Sequence, residues 1–224
     1  MRHAVLGLSL VALALAPLHA AESVRQIPPP AVDDPKAQAG SSATAVLAGG
    51  CYWGVQGLFE HVKGIKSVAA GYSGDFTSNS GEGSLIATLT PAESVKITYD
   101  PSEITYGRIL QIYFSVIHDP TQKDRQGPDV GPQYRSNIFP SSDAQQNIAE
   151  SYIRQLGAAG VYAAPIVTRV DRFQRFVAAK PSEQDVMRTH ATMAYVVSYD
   201  LPKLAELKQM FPADYLDPGL TYSE

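Results

Sequence analysis

Only one cysteine, Cys51, occurs in the 224 residues. No disulfide can form within the chain at any stage, so a lone thiol here is a small buried hydrophobe, one half of an intermolecular bond, or a reactive group. Basic residues are also in the minority. Without Arg2, 17 Lys and Arg face 22 Asp and Glu, a net charge of −5, and no run of Lys and Arg is present. That excludes a general nucleic-acid binder, which needs a basic patch to meet phosphates. The histidines beyond the N-terminal leader, His61, His118 and His190, are dispersed and show no metal-ligand spacing with Cys51. No glycine-rich phosphate loop followed by its lysine is found. No apolar run reaches the ~20 residues of a membrane-spanning helix.

The first 20 residues have the pattern of an export signal. Met1-Arg2-His3 is positive, Ala4 to Leu18 is apolar with Pro17 inside it, and small residues follow. The reading is a signal peptide over 1–20, cleaved after Ala20 or Ala21, and an exported, periplasmic protein. The alternative is an uncleaved N-terminal anchor, which would be the only link to a membrane. Residues 21–43 are rich in Pro, Ala, Ser and Asp and are expected to form a disordered linker. The folded domain is expected over 44–224.

Within it, element signals alternate. Ala45–Ala48 is a short apolar run ending in Gly49-Gly50, which suits a buried strand meeting a turn. Val55, Leu58, Phe59 and Val62 recur at helical spacing. Residues 66–72 read as a strand, followed by a Gly/Ser/Asn loop, and 93–99 (ESVKITY) alternates as a strand. A helix is expected over 106–117, a loop over 118–132, a strand over 134–139, and a helix over 143–156 opened by Ser141-Ser142. A strand over 166–170 and a helix over 201–210 complete the pattern. This order predicts an α+β fold: a mixed β-sheet with packed helices.

The most informative residues are Gly49-Gly50-Cys51-Tyr52-Trp53-Gly54. The glycines permit a tight turn, and the cysteine then falls in the first turn of the next helix. Unpaired N–H groups and the positive dipole end there favour an anion, so the expected thiol pKa is lowered. Trp53 is read either as core or, with Tyr52, as an apolar wall beside the sulfur. Glu93 reads as a strand-start residue, Asp129 as a turn residue and Tyr134 as a strand residue.

This six-residue block resembles the signature of the A-type peptide methionine sulfoxide reductases, usually Gly-Cys-Phe-Trp-Gly, with Tyr52 in the place of Phe. His118-Asp119-Pro120-Thr121 and the run from Gln126 to Ser136 (QGPDVGPQYRS) are similar to the family's second block. Gly71-Tyr72-Ser73-Gly74, Ala92-Glu93, Tyr99-Asp100-Pro101, Leu201-Pro202-Lys203 and Phe211-Pro212 match regions around these. The resemblance covers roughly 46–215.

The resemblance implies a ferredoxin-like α/β plait in a single domain. It also implies repair of oxidative damage by reduction of the S epimer of methionine sulfoxide, free or in proteins. Cys51 would be the nucleophile, Glu93 the proton donor, Tyr134 a hydroxyl donor to the sulfoxide oxygen, and Asp129 an acceptor that organises the site. Tyr52 and Trp53 would receive the substrate methyl group. Cys51 would end as a sulfenic acid. With no second cysteine, an external thiol must resolve it: glutathione, a glutaredoxin-like or a thioredoxin-like protein. No bound cofactor and no metal are implied, and a monomer is expected.

Three positions depart from the family pattern. No tyrosine follows Asn79 in the loop after Gly74, Pro91 stands where a His is usual, and the late Ala-Glu-x-x-His-Gln stretch is degenerate around residues 181–186. Two competing readings are a cysteine hydrolase using Cys51 with His118 and Asp119, and a catalytically silent binding module on the same fold.

Overall fold

The computed structural model describes residues 27–74 and 90–217. The signal peptide expected over 1–20 and the loop expected around Asn79 lie outside the described residues. Among those described, no helix is long and apolar enough to cross a membrane.

Strand β1 (Ala43–Ala48), helix α1 (Tyr52–Glu60), strands β2 (Ile65–Ser73) and β3 (Ala92–Tyr99) and helix α2 (Tyr106–Ile112) follow one another. Helix α2 continues as a π-helical turn over Tyr113–Ile117. A small hairpin comes next, β4 (Arg125–Gln126) with β5 (Asp129–Val130), then β6 (Asn137–Ile138) and α3 (Asp143–Ala158). Strands β7 (Arg169–Val170) and β8 (Phe176–Ala178), α4 (Val186–Thr189) and α5 (Leu201–Met210) complete the described chain.

The main sheet has the order β7-β6-β1-β3-β2-β8. All its pairs are antiparallel except β6 with β7, so the sheet is mixed. Its centre, β6-β1-β3-β2, with α1 and α2 as the crossovers, is the ferredoxin-like plait. Period-two alternation sets the faces. Val95, Ile97 and Tyr99 of β3 join Leu47, Phe59, Ile109 and Leu110 in the main core. Val46, Ala48 and Ala92 point the other way, under Phe139, Phe173 and Phe176. Glu93 shares the parity of Val95 and Ile97, which puts it on the helix side.

Several expectations are corrected. The expected linker is ordered over its described part, from residue 27. Ile27 is 2% exposed in the core, and its carbonyl accepts from Gln111 Nε2. Tyr152 Oη donates to the Pro28 carbonyl, and the Asp33 carboxylate takes Thr105 Oγ1 and the Gly107 N–H. One isoleucine and a few well-placed acceptors hold a polar-looking segment that composition alone reads as loose.

Two strands are shorter than expected. Tyr134 lies in a 3-10 turn, Pro132–Tyr134, because Pro132 cannot donate to a ladder. Strand β7 keeps only Arg169–Val170 of the expected 166–170. Ser142 caps α3 as expected, accepting from the Gln145 N–H.

Candidate active site

The turn between β1 and α1 carries the thiol. Gly50 has φ +97°, a conformation open to glycine, and a Cβ there would lie 2.7 Å from Gln126. Tyr113 Oη donates to the Ala48 carbonyl at 2.7 Å and fixes the end of β1. Cys51 is the N-cap residue of α1, one position ahead of the expected first turn, and is half-buried.

Glu93, second in β3, reaches across from the neighbouring strand. Its carboxylate accepts the Tyr52 N–H at 3.1 Å, one of the free donors at the helix start. Tyr134, Asp129 and Cys51 lie within electrostatic reach of one another and of Glu93. The expected constellation is therefore brought together from four separate segments. Trp53 is half-buried, donates from Nε1 to Glu183 at 3.0 Å and meets the Tyr195 ring edge-on at 5.9 Å. Tyr52 is only 5% exposed. Its ring packs against Tyr72 and the two hydroxyls are 3.1 Å apart, so its side chain offers little open wall.

The expected low thiol pKa is overturned. Burial pushes the Cys51 thiol well up, and the Glu93, Asp200 and Asp129 carboxylates push it further, against the Trp53 N–H alone. The helix start does act, but desolvation and three acids outweigh it. The same burial lifts Glu93 to about 7, helped by Asp129 and Glu183 and opposed by the Tyr52 N–H. Asp200 also rises to about 7 by burial, with Lys203 opposing. Tyr134 is pushed up to about 12 and stays a donor. Near neutral pH a limited number of protons is therefore shared among the thiol and these carboxyls.

Residues 181–200, whose first part (181–186) is degenerate in sequence, supply groups that sequence reasoning missed. Tyr195 Oη donates to Asp129 Oδ2 in a short bond. Gln184 bonds both the Ala70 N–H and carbonyl and reaches Gln56 of α1. Asp200 precedes the Leu201-Pro202 helix start, and that pattern is the one sequence signal that marks it.

His118 is excluded as a base. It is buried, Nδ1 lies on the Tyr113 carbonyl and Nε2 on Thr168 Oγ1, and burial lowers its pKa to about 3. Asp119 turns instead to the Thr121 N–H and hydroxyl and to Gln122. Among the described residues no group of three His, Cys, Asp or Glu is placed to hold a metal ion.

A family profile described as peptide methionine sulfoxide reductase matches residues 43–214. The chain belongs to that family. Peptide methionine sulfoxide reductase MsrA 2 of Mesorhizobium japonicum is 51% identical over 183 residues, covering 81% of this chain and 93% of the relative. The MsrA 2 of a Synechocystis strain is 41% identical, covering 83% and 88%. Among solved structures, methionine sulfoxide reductase A of Corynebacterium diphtheriae superposes with TM-score 0.54 at 26% identity, over 80% of this chain and 92% of that one. Reduced Mxr1 of Saccharomyces cerevisiae gives 0.56 at 27% identity, over 70% and 90%. The methionine sulfoxide reductase fold thus spans the described domain.

Proposed function

We propose that this chain is a peptide-methionine (S)-S-oxide reductase that repairs oxidised methionine, in proteins and as the free amino acid. Membership of the family supports the reaction. The observation that carries the site assignment is the Glu93 carboxyl on the Tyr52 N–H, at the helix start capped by Cys51.

Cys51 sulfur attacks the sulfoxide sulfur while negative charge gathers on the oxygen. Glu93, poised near 7, transfers its proton to that oxygen, and the Tyr134 hydroxyl donates to it. The sulfur–oxygen bond of the substrate breaks, methionine leaves, and Cys51 holds the oxygen as sulfenic acid. Trp53 meets the methyl group. Asp129, which accepts from Tyr195, is the acceptor that organises the site. With one cysteine, the sulfenic acid is returned to thiol only by an external thiol. No bound cofactor enters this scheme.

The N-terminal composition supports export by a signal peptide over 1–20 to the periplasm, and action as a monomer is part of the same reading. Purified enzyme is given each epimer of methionine sulfoxide with excess dithiothreitol. Methionine should form from the S epimer only, and Cys51→Ser should form none. Product from the R epimer alone, or undiminished turnover in the serine variant, overturns the assignment.

A further inference from the structure

A cavity of about 690 Å³ opens on Cys51, within the ~300–1,000 Å³ range of small-molecule sites. Trp53, Glu93 and Tyr134, which meet the sulfoxide in the reading above, do not line it. It runs along one face of α1, past Cys51, Gly54, Val55 and Leu58, at i, i+3, i+4 and i+7. The facing wall is the start of α5, and the rim includes Arg125 of the β4–β5 hairpin.

Asp200 is the unexplained group in this cavity. It is 4% exposed, and its Oδ2 has no hydrogen-bond partner. A Cβ at position 54 would lie 2.2 Å from Asp200 Oδ1, so Gly54 is what admits the carboxyl to the helix face near the sulfur. A buried, unsatisfied carboxylate oxygen is costly unless an occupant uses it. The other charges at the cavity are Lys203, Arg125, Glu206 and Asp129. Cations and anions on the walls suit a ligand that carries both carboxylate and ammonium groups.

We propose that this cavity admits a low-molecular-weight thiol of the cysteinyl-peptide class to oxidised Cys51, with Asp200 as the acceptor of its proton. This rests on the sulfenic acid reading above. The thiol gives its proton to Asp200, and its sulfur attacks the Cys51 sulfur. The sulfur–sulfur bond forms, the sulfur–oxygen bond breaks, and the departing hydroxide takes the proton from Asp200 as water. A second thiol attacks the bound thiol's sulfur, releasing reduced Cys51 and a small disulfide. Two thiols are oxidised and one sulfenic acid is reduced. Burial first, then Lys203 from α5 and Asp129 from the hairpin, set the Asp200 proton affinity.

The test separates the two half-reactions. Reduced enzyme is first given one equivalent of methionine (S)-sulfoxide without thiol, and methionine is counted. Failure here counts against the function, not against the cavity. Glutathione or neutral 2-mercaptoethanol is then added, and the mixed disulfide is followed by quenched mass spectrometry. The wild-type rate should saturate with glutathione. Arg125→Ala with Lys203→Ala should slow glutathione at least tenfold more than it slows 2-mercaptoethanol, which feels only the changed proton affinity of Asp200. Ser198→Trp, at an exposed lining residue, should block glutathione and leave the first half-reaction intact. Asp200→Asn should slow both thiols and flatten the pH profile between 6 and 8. Should that variant not fold, the other two decide. A glutathione rate that never saturates, and is unmoved by Ser198→Trp or the double variant, overturns the proposal.

Discussion

Glu93 and Cys51 belong to different strands' ends, yet one helix start joins them: Glu93 accepts the Tyr52 N–H, and Cys51 is the residue immediately before that donor. In the proposed reaction the carboxyl holds the proton that the oxygen needs, and its ionised form raises the thiol pKa further.

Replacing Glu93 by Gln should slow single-turnover methionine formation about 100-fold. Since the proposed reactive form carries one proton on Glu93 and none on a thiol that is itself raised, the wild-type rate should rise with pH up to about 7 and then level off. The variant should lack that break. Stopped-flow rates from pH 5.5 to 8.5 check both statements, and a Gln variant within twofold of wild type removes Glu93 from the step.

One cysteine sets the stoichiometry. Without thiol, each chain should release one methionine and stop, with Cys51 trapped by dimedone as its sulfenic adduct. Continued turnover in the absence of any thiol would mean that another group on the protein carries the electrons.

Tyr195→Phe removes the hydrogen bond to Asp129 and should raise KM about five- to tenfold, in line with a loss of about 1 kcal/mol. Turnover at saturation should change little. A large fall in kcat with unchanged KM would instead place Tyr195 in the chemical step.

His118→Ala should cost about 2–4 kcal/mol of stability, because a ring packed between Tyr113 and Phe114 leaves a cavity. Urea melts measure that cost. Sulfoxide reduction at 20 °C should persist, and its abolition in a folded variant would revive a histidine-dependent mechanism.

Stability should fall between pH 6.5 and about 8. Glu93 and Asp200 are raised to about 7 and Glu60 to about 8, each by burial first. In that window the unfolded carboxyls have already lost protons that the folded chain still holds, so unfolding releases protons and a higher pH favours it. His61 and His118, lowered in the fold, take up protons on unfolding and so oppose this trend, but only at the lower end of the window, near their unfolded value. Melting temperature should be lower at pH 8 than at pH 6.5. An equal or higher value contradicts the shifts.

The plait was legible because its elements carry strong local patterns. ESVKITY alternates over 93–99, and α5 was bounded at both ends by Leu201-Pro202 and Pro212. The motif around Cys51, Glu93, Asp129 and Tyr134 was legible by resemblance alone, since nothing local marks Glu93 or Tyr134 as reactive. The thiol pKa was misjudged because a helix terminus is visible in sequence and burial beside three carboxyls is not. Tyr195, Glu183 and Asp200 were missed for a related reason: they act through contacts made across 66 to 149 residues of chain. The strap at Ile27 escaped because one apolar residue among prolines gives no period.

That strap also orders events during synthesis. Its acceptors at Ile27, Pro28 and Pro29 meet donors on Gln111, Tyr152 and Gln155. Gln111 is made well before Tyr152 and Gln155, so the strap can rest its first acceptor on α2 but gains its full set of partners only once α3 has followed.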